Sequence, residues 1–251
     1  MNNNPSSLFI QSVVVNHNTS KYTELMLRSL FARHPSDLDM SIIILDNNSQ
    51  DDRTQLESCA RRKDVPIIPS GYEIKMKWNS HGEILSKFVL EHPNCTYYLF
   101  LDADTCFIED NTIDTMIEEL EKDANAFGTA PRITSNGDTE IEPVYWEKIY
   151  ASRLHPCCAL VKNTAVFREV IGAIGLSCVQ YLWAEGEEYL DTFELASKVM
   201  KTHGKRHLLS SKMVLHFFSV SYDWEPQPVM KHKTELRDKY LEKLCALEDG
   251  Q

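Results

Sequence analysis

Three short apolar runs in this 251-residue chain stop abruptly at side chains able to do chemistry. Residues 12–16 (SVVVN) end in Asn16-His17-Asn18-Thr19, and residues 41–46 (SIIILD) in Asp46-Asn47-Asn48-Ser49. Residues 97–102 (YYLFLD) lead into Asp102-Ala103-Asp104. Amide, imidazole, hydroxyl and carboxylate groups of this kind hydrogen-bond a base or a ribose, or ligate a metal. Any one cluster alone also fits capping or turn chemistry. Asp102-x-Asp104 is the sharpest of the three. Two carboxylates with one residue between them can converge on a divalent ion where a strand gives way to a turn. Hard oxygen donors suit Mg²⁺ or Mn²⁺ and a diphosphate bridging to it. The bland alternative is a strand-end turn that happens to be acidic.

For these clusters to act together, one sheet edge must carry them all. The pattern around them predicts such a sheet. Strands 12–16, 41–46, 65–69 and 97–102 alternate with helices at 21–34, 51–62, 83–91 and 111–122. The β-branched runs read as strands buried on both faces. Strand–helix alternation implies a mostly parallel sheet with right-handed crossovers, whose ligands collect beyond the carboxyl ends of the strands. The later half predicts strands at 126–133, 156–162 and 212–218 and helices at 164–174 and 187–203. An amphipathic tail helix follows at 230–247, expected to pack on its own domain, with a partner or membrane helix, or self-association through it, as the alternative. The fold class expected is α/β, as one domain with a first half at about 10–133, a second at about 134–224, and the tail helix.

Composition narrows the chemistry. A formal net charge of −11 argues against nucleic acid. It also makes an unaided diphosphate site implausible. Nine glycines form neither GxGxxG nor GxxxxGK[ST], so a bound phosphate calls for a metal to neutralise it. The seven cysteines form no CxxC pair and read as reduced thiols, with Cys157-Cys158 filling a strand. The three N-x-S/T sequons at Asn18, Asn47 and Asn94 then carry no glycan. Residues 1–7 have neither the basic nor the apolar part of a signal peptide. No apolar run approaches the roughly 18–20 residues that span a bilayer. The expected location is the cytoplasm, free or peripheral at the inner membrane face.

The chain as a whole resembles the family 2 glycosyltransferases of the GT-A fold, in a bacterial branch. VVVNHNTSKYTELMLRSLFARH is similar to their first strand and helix, and IIILDNNSQDD to their second-strand signature. SHGEILSKFVLEH and YYLFLDADTCF resemble the donor loop, helix and DxD strand. HPCCALVKN, EYLDTFELASKVMKTHG and VLHFF resemble the acceptor-side elements. The resemblance covers roughly residues 10–224. It implies an inverting transfer of a sugar from a nucleoside-diphosphate sugar, UDP- or dTDP-type favoured, to a glycan, lipid-linked or small-molecule acceptor.

By position, Asn16, His17, Asn18, Asp46 and Ser49 would line the nucleoside pocket, and His81 and Gly82 would sit near the ribose or diphosphate. Asp102 would contact ribose and metal, and Asp104 would be the principal ligand of Mn²⁺ or Mg²⁺. His216 would be a third ligand, although an imidazole flanked by apolar residues is also a familiar core residue. Asp191 is the candidate base, which would take the acceptor hydroxyl's proton as that oxygen attacks the anomeric carbon. Many relatives carry Glu-Asp there and this chain carries Leu190-Asp191-Thr192, so Glu185, Glu187 and Glu188 stay open, as does a capping role for Asp191. His155 either faces the acceptor or is structural.

Three rivals share parts of the pattern. A haloacid-dehalogenase-type phosphatase wants Thr or Val four residues after the first Asp, where Cys106 stands, and wants its motif at the start of the domain. A nucleotidyltransferase wants a glycine-rich loop and a basic residue after the first strand. An inactive sugar-nucleotide-binding protein would have no use for Asp104, Asp191 and His216 together.

Overall fold

In a computed structural model, residues 8–34, 38–72, 80–135, 150–183, 186–221 and 226–249 are described. Within them an eight-stranded sheet runs in the order β3-β2-β1-β4-β7-β6-β10-β5. Its first four strands along the chain are β1 (Ile10–Asn16), β2 (Met40–Asp46), β3 (Ile67–Pro69) and β4 (Tyr97–Asp102). All pairings among these four are parallel. Helices α1 (Ser20–Arg33), α2 (Thr54–Arg62) and α3 (Ser80–Glu91) connect them. The remaining strands are β5 (Thr105–Phe107), β6 (Ala126–Thr134), β7 (Cys158–Lys162) and β10 (Arg206–His216), with α4 (Thr112–Glu121) after β5. β7 runs antiparallel to β4 and β6, and β5 antiparallel to β10, while β6 and β10 are parallel. The mostly parallel α/β sheet is as predicted.

Apolar residues on both sheet faces explain the layers. Val14, Leu99 and Leu101 pack with Met26, Leu30 and Ile113 on one side. Val13, Tyr98 and Phe100 pack with Phe88, Phe167 and Phe193 on the other. Burying a large side chain of this kind contributes about 1.5–3 kcal/mol. Near the edge, β2 buries Ile42 and Ile44 in one core, while Ile43 and Leu45 are partly buried against the other, so its two-sided burial is less complete than that of β1 and β4.

Two other expectations change. The helix predicted over 187–203 is a strand followed by a shorter helix. β9 (Gly186–Leu190) pairs with β8 (Val179–Trp183) as a hairpin, and only then does α6 (Glu194–Thr202) begin. Leu190 is drawn into the interior opposite Val179, and Phe193 adopts a left-handed φ of 69° that ends any continuous helix. Before the hairpin comes α5 (Ala165–Ile174), capped by the Thr164 side chain. The late strand also starts earlier than predicted and stops at His216, because Phe218 and Ser219 turn left-handed at φ 52° and 51°.

The tail helix α7 (Gln227–Asp249) lies on its own domain, as expected from its apolar stripe. Leu244 is buried with Tyr22, Leu25 and Phe217, and Arg237 sits 4.9 Å from the Tyr22 ring. Arg28 joins Glu24 of its own helix to Glu248 of α7. No helix among the described residues is long and apolar enough to cross a membrane. All seven cysteines are free thiols; Cys158 opens β7 and is fully buried as strand filling requires, whereas Cys157, also fully buried, lies in the turn before the strand.

Candidate active site

Register brings the polar strand ends together. Asn16 pairs with Asp46 across β1–β2, and Val15 with Asp102 across β1–β4, so three strands deliver their last residues to one edge. The antiparallel β5–β10 pairing then sets His216 opposite Thr105, directly after Asp104.

Asp102, Asp104 and His216 each offer a ligand atom, and these atoms lie within 4.8 Å of one another. His216 Nε2 is 3.0 Å from Asp104 Oδ1 and 3.5 Å from Asp102 Oδ2. The other oxygen of Asp102 faces His81 Nε2 at 3.4 Å. The backbone holds this geometry. Phe217 N donates to Asp104 O at 3.1 Å, and both Asp102 N and the Thr105 hydroxyl donate to Cys157 O, at 3.0 and 2.8 Å.

Burial works against the His216 imidazolium, but Asp104 and the hydrogen bonds to both carboxylates outweigh it and raise its pKa to about 9. Burial likewise disfavours charge on Asp102, yet the His216 hydrogen bond and the neighbouring His81 hold its carboxyl well below the usual range. Without a metal, the imidazolium is the cation that two crowded carboxylates need.

His155 lies edge-on to His216, with ring centroids 5.8 Å apart, and accepts a hydrogen bond from Cys157 N at Nδ1. Burial first, then Arg153 and His216, push its pKa far down, so it packs as a neutral ring. Burial pushes the Cys157 and Cys158 thiols up, which leaves neither as a thiolate ligand or nucleophile.

The residues at the carboxyl ends of β1 and β2 form a hydrogen-bonded shelf. Asn16 is fully buried. Its amide donates to Asp46 Oδ1 (3.1 Å), Ser49 Oγ (2.9 Å) and Ser20 Oγ (3.2 Å), while its carbonyl accepts from Thr19 and Thr23. It therefore reaches any ligand through Asp46 and Ser49. His17 Nδ1 is 2.7 Å from Asn47 O, and left-handed Asn18 accepts from Gln50 N at 2.7 Å. Arg53, which the sequence reading passed over, contacts Asp46 Oδ2 at 2.8 Å. Its only sequence signal was a lone cation at the end of an acidic, amide-rich loop. Asp46 and Arg53 open onto a cleft of about 470 Å³ with Arg61, Val65 and Ile67 on its walls.

Gly82 has a packing role. A Cβ there would come within 2.4 Å of Ser177 Cα, so the missing side chain lets α3 lie against the loop before β8. Ser86 fastens the contact, donating to Gly82 O and accepting from Leu176 N. Since the clash is with backbone, Gly82→Ala is expected to cost about 1–3 kcal/mol in a urea titration. A wild-type midpoint would mean that this helix–loop contact is slack.

In the turn before α6, Asp191 is 46% exposed and pairs with Arg153 Nη2 at 2.8 Å. Its Oδ1 accepts from Thr192 N, and its backbone N–H donates to Glu194 Oε2, so it also takes part in the helix start that the bland reading foresaw. Of the alternative carboxylates, Glu188 is in a solvent-facing pair with Lys198 at 3.0 Å. Glu185 and the side chain of Glu187 lie outside the described residues. Arg153 was missed because nothing local marks it; its partner is 38 positions on.

The family model Glycosyl transferase family 2 matches residues 12–168, well over half of the chain. No curated protein sequence matches. Among solved structures, the chain is similar to the mannosyltransferase PcManGT from Pyrobaculum calidifontis in complex with GDP-Man and Mn²⁺. That likeness has 12% identity and a TM-score of 0.58, covering 94% of this chain and 73% of that one. It is also similar to M. tuberculosis glucosyl-3-phosphoglycerate synthase in complex with Mn²⁺, UDP and glucosyl-3-phosphoglycerate (13% identity, TM-score 0.52, coverage 96% and 81%). S. aureus TarS is a third (15% identity, TM-score 0.53); 93% of this chain matches 43% of TarS. At such identities the likeness establishes the fold, which is GT-A.

Proposed function

The chain belongs to glycosyl transferase family 2, and from that premise we propose an inverting, metal-dependent transfer of a sugar from a nucleoside-diphosphate sugar to an acceptor hydroxyl. The observation that carries this reading is the convergence of Asp102, Asp104 and His216 at the carboxyl edge of the sheet. Two carboxylates and one imidazole fit Mn²⁺ or Mg²⁺, and three protein ligands leave positions for diphosphate oxygens. Two structures of the same fold are complexes with Mn²⁺ and a nucleotide or nucleotide sugar. A cation held there supplies positive charge beside the leaving diphosphate.

The chain's own residues do the rest. Asp46 and Ser49, braced by Asn16, offer an acceptor and a hydroxyl to base and ribose at the mouth of the Asp46–Arg53 cleft. A carboxylate accepting from a pyrimidine N–H favours a UDP- or dTDP-sugar. His17 and Asn18 shape the first loop, and His81, at the start of α3, faces the Asp102 side of the diphosphate. Asp191 accepts the acceptor proton. The phosphatase alternative has no support from the family match.

The test is thermal shift with UDP, dTDP and GDP, each in Mn²⁺ and in EDTA. A nucleotide at 100 times its Kd adds about 2.7 kcal/mol, and that gain is expected with Mn²⁺ and lost in EDTA. Equal stabilisation in EDTA would sink the metal-bridged reading.

A further inference from the structure

Arg153 has no assigned role, yet its surroundings are built around it. Its side chain is only 12% exposed, and a cation so deep is costly unless paired. One guanidinium arm contacts Asp191 Oδ2 at 2.8 Å, and the other donates to Thr192 O at 2.8 Å. This fork grips both the side chain and the backbone of the 191–192 turn, which a lysine's single ammonium does less well.

The neighbours of Arg153 extend the grip in two directions. Leu154 N donates to Ser197 Oγ of α6 at 3.0 Å, and His155 lies edge-on to His216. Three consecutive residues thus span from the Asp191 turn to the metal-ligand cluster. The turn has a second anchor in Phe193, which is buried, edge-on to Phe100 at 5.1 Å, and donates its N–H to Leu176 O at 3.0 Å. Phe100 stands two residues before Asp102 in β4. Asp191 keeps lone pairs free for an acceptor, because one oxygen meets Arg153, the other accepts from Thr192 N, and each carboxylate oxygen has room for a second hydrogen bond.

We infer that Arg153 is the positioning residue for Asp191: it fixes the carboxylate's orientation and its spacing from the Asp102–Asp104–His216 cluster, and so acts on transfer through Asp191. This rests on Asp191 being the base.

The experiment is a double-mutant cycle of Asp191→Asn and Arg153→Gln, with Arg153→Lys alongside. The donor is whichever of UDP-glucose, UDP-N-acetylglucosamine, dTDP-rhamnose and GDP-mannose turns over fastest with Mn²⁺. A misplacement of about 1 Å can cost roughly 10²-fold, so Arg153→Gln is expected to lose kcat on that order with donor KM unchanged. Arg153→Lys should recover part of the loss, and the double variant should be no slower than Asp191→Asn alone. Losses that multiply in the double variant, or full kcat in Arg153→Gln, would overturn the positioning role while leaving the base intact. Full kcat in Asp191→Asn would overturn the base and this role together. If Arg153→Gln does not fold, Arg153→Lys carries the same cycle.

Discussion

Asp191→Asn is expected to lose about 10²–10⁴-fold in kcat, the usual loss when a general base is removed. The amide keeps the shape of the carboxylate and can still accept from Thr192 N at its remaining oxygen. It cannot take the acceptor proton at neutral pH, so chemistry fails, while Arg153 loses its charge partner but keeps Thr192 O. Asp191 sits in the turn before α6, where its side chain meets Arg153 and Thr192 N, and it is not part of the Asp102–Asp104–His216 group. Donor affinity, read by calorimetry with UDP and Mn²⁺, should therefore stay at the wild-type value. A single displacement with one base also inverts the anomeric carbon. NMR of freshly formed product is the check, and a retained configuration would leave Asp191 as a binding residue only. Undiminished turnover would move the base elsewhere among the nearby acidic side chains.

Asp104→Ala is expected to weaken Mn²⁺-dependent UDP binding by more than about 100-fold. Changes to groups that merely orient a ligand already cost 10–100-fold in metal affinity, and Asp104 is a proposed ligand itself. The fold should survive. Its backbone carbonyl still accepts from Phe217 N, and His216 keeps Asp102 at 3.5 Å as a charged partner. The measurement is calorimetric titration of UDP with and without Mn²⁺, beside a melting curve in EDTA. Wild-type affinity in Mn²⁺ would remove Asp104 from the ligand set. A collapse of the EDTA melting curve would instead show that the Asp104–His216 pair is needed to fold.

The first half of the chain was legible residue by residue because its information is local. SVVVN, SIIILD and YYLFLD each announce a buried strand by an apolar run and a carboxyl end by the polar residue that stops it. Parallel pairing then aligns those ends, as Asn16 with Asp46 and Val15 with Asp102 show. The second half resisted for the opposite reason. GEEYL reads as the start of a helix until it meets Val179–Trp183 across a hairpin, and a pairing partner is a property of the folded chain. Gly82 looked like a residue for a ligand, and only the approach of Ser177 reveals what its missing side chain accommodates.

The sequence by itself determined which residue types stand at the ends of which strands, and with them the metal chemistry, since hard donors and a charge of −11 leave few other ways to hold a diphosphate. Tertiary structure alone decided the pairings. His216 meets Asp104 across 112 positions, Arg53 turns back onto Asp46, and Arg153 takes hold of Asp191. The physical reason is that an ion pair's energy depends on distance and burial in space, and neither is encoded within a few residues of either partner.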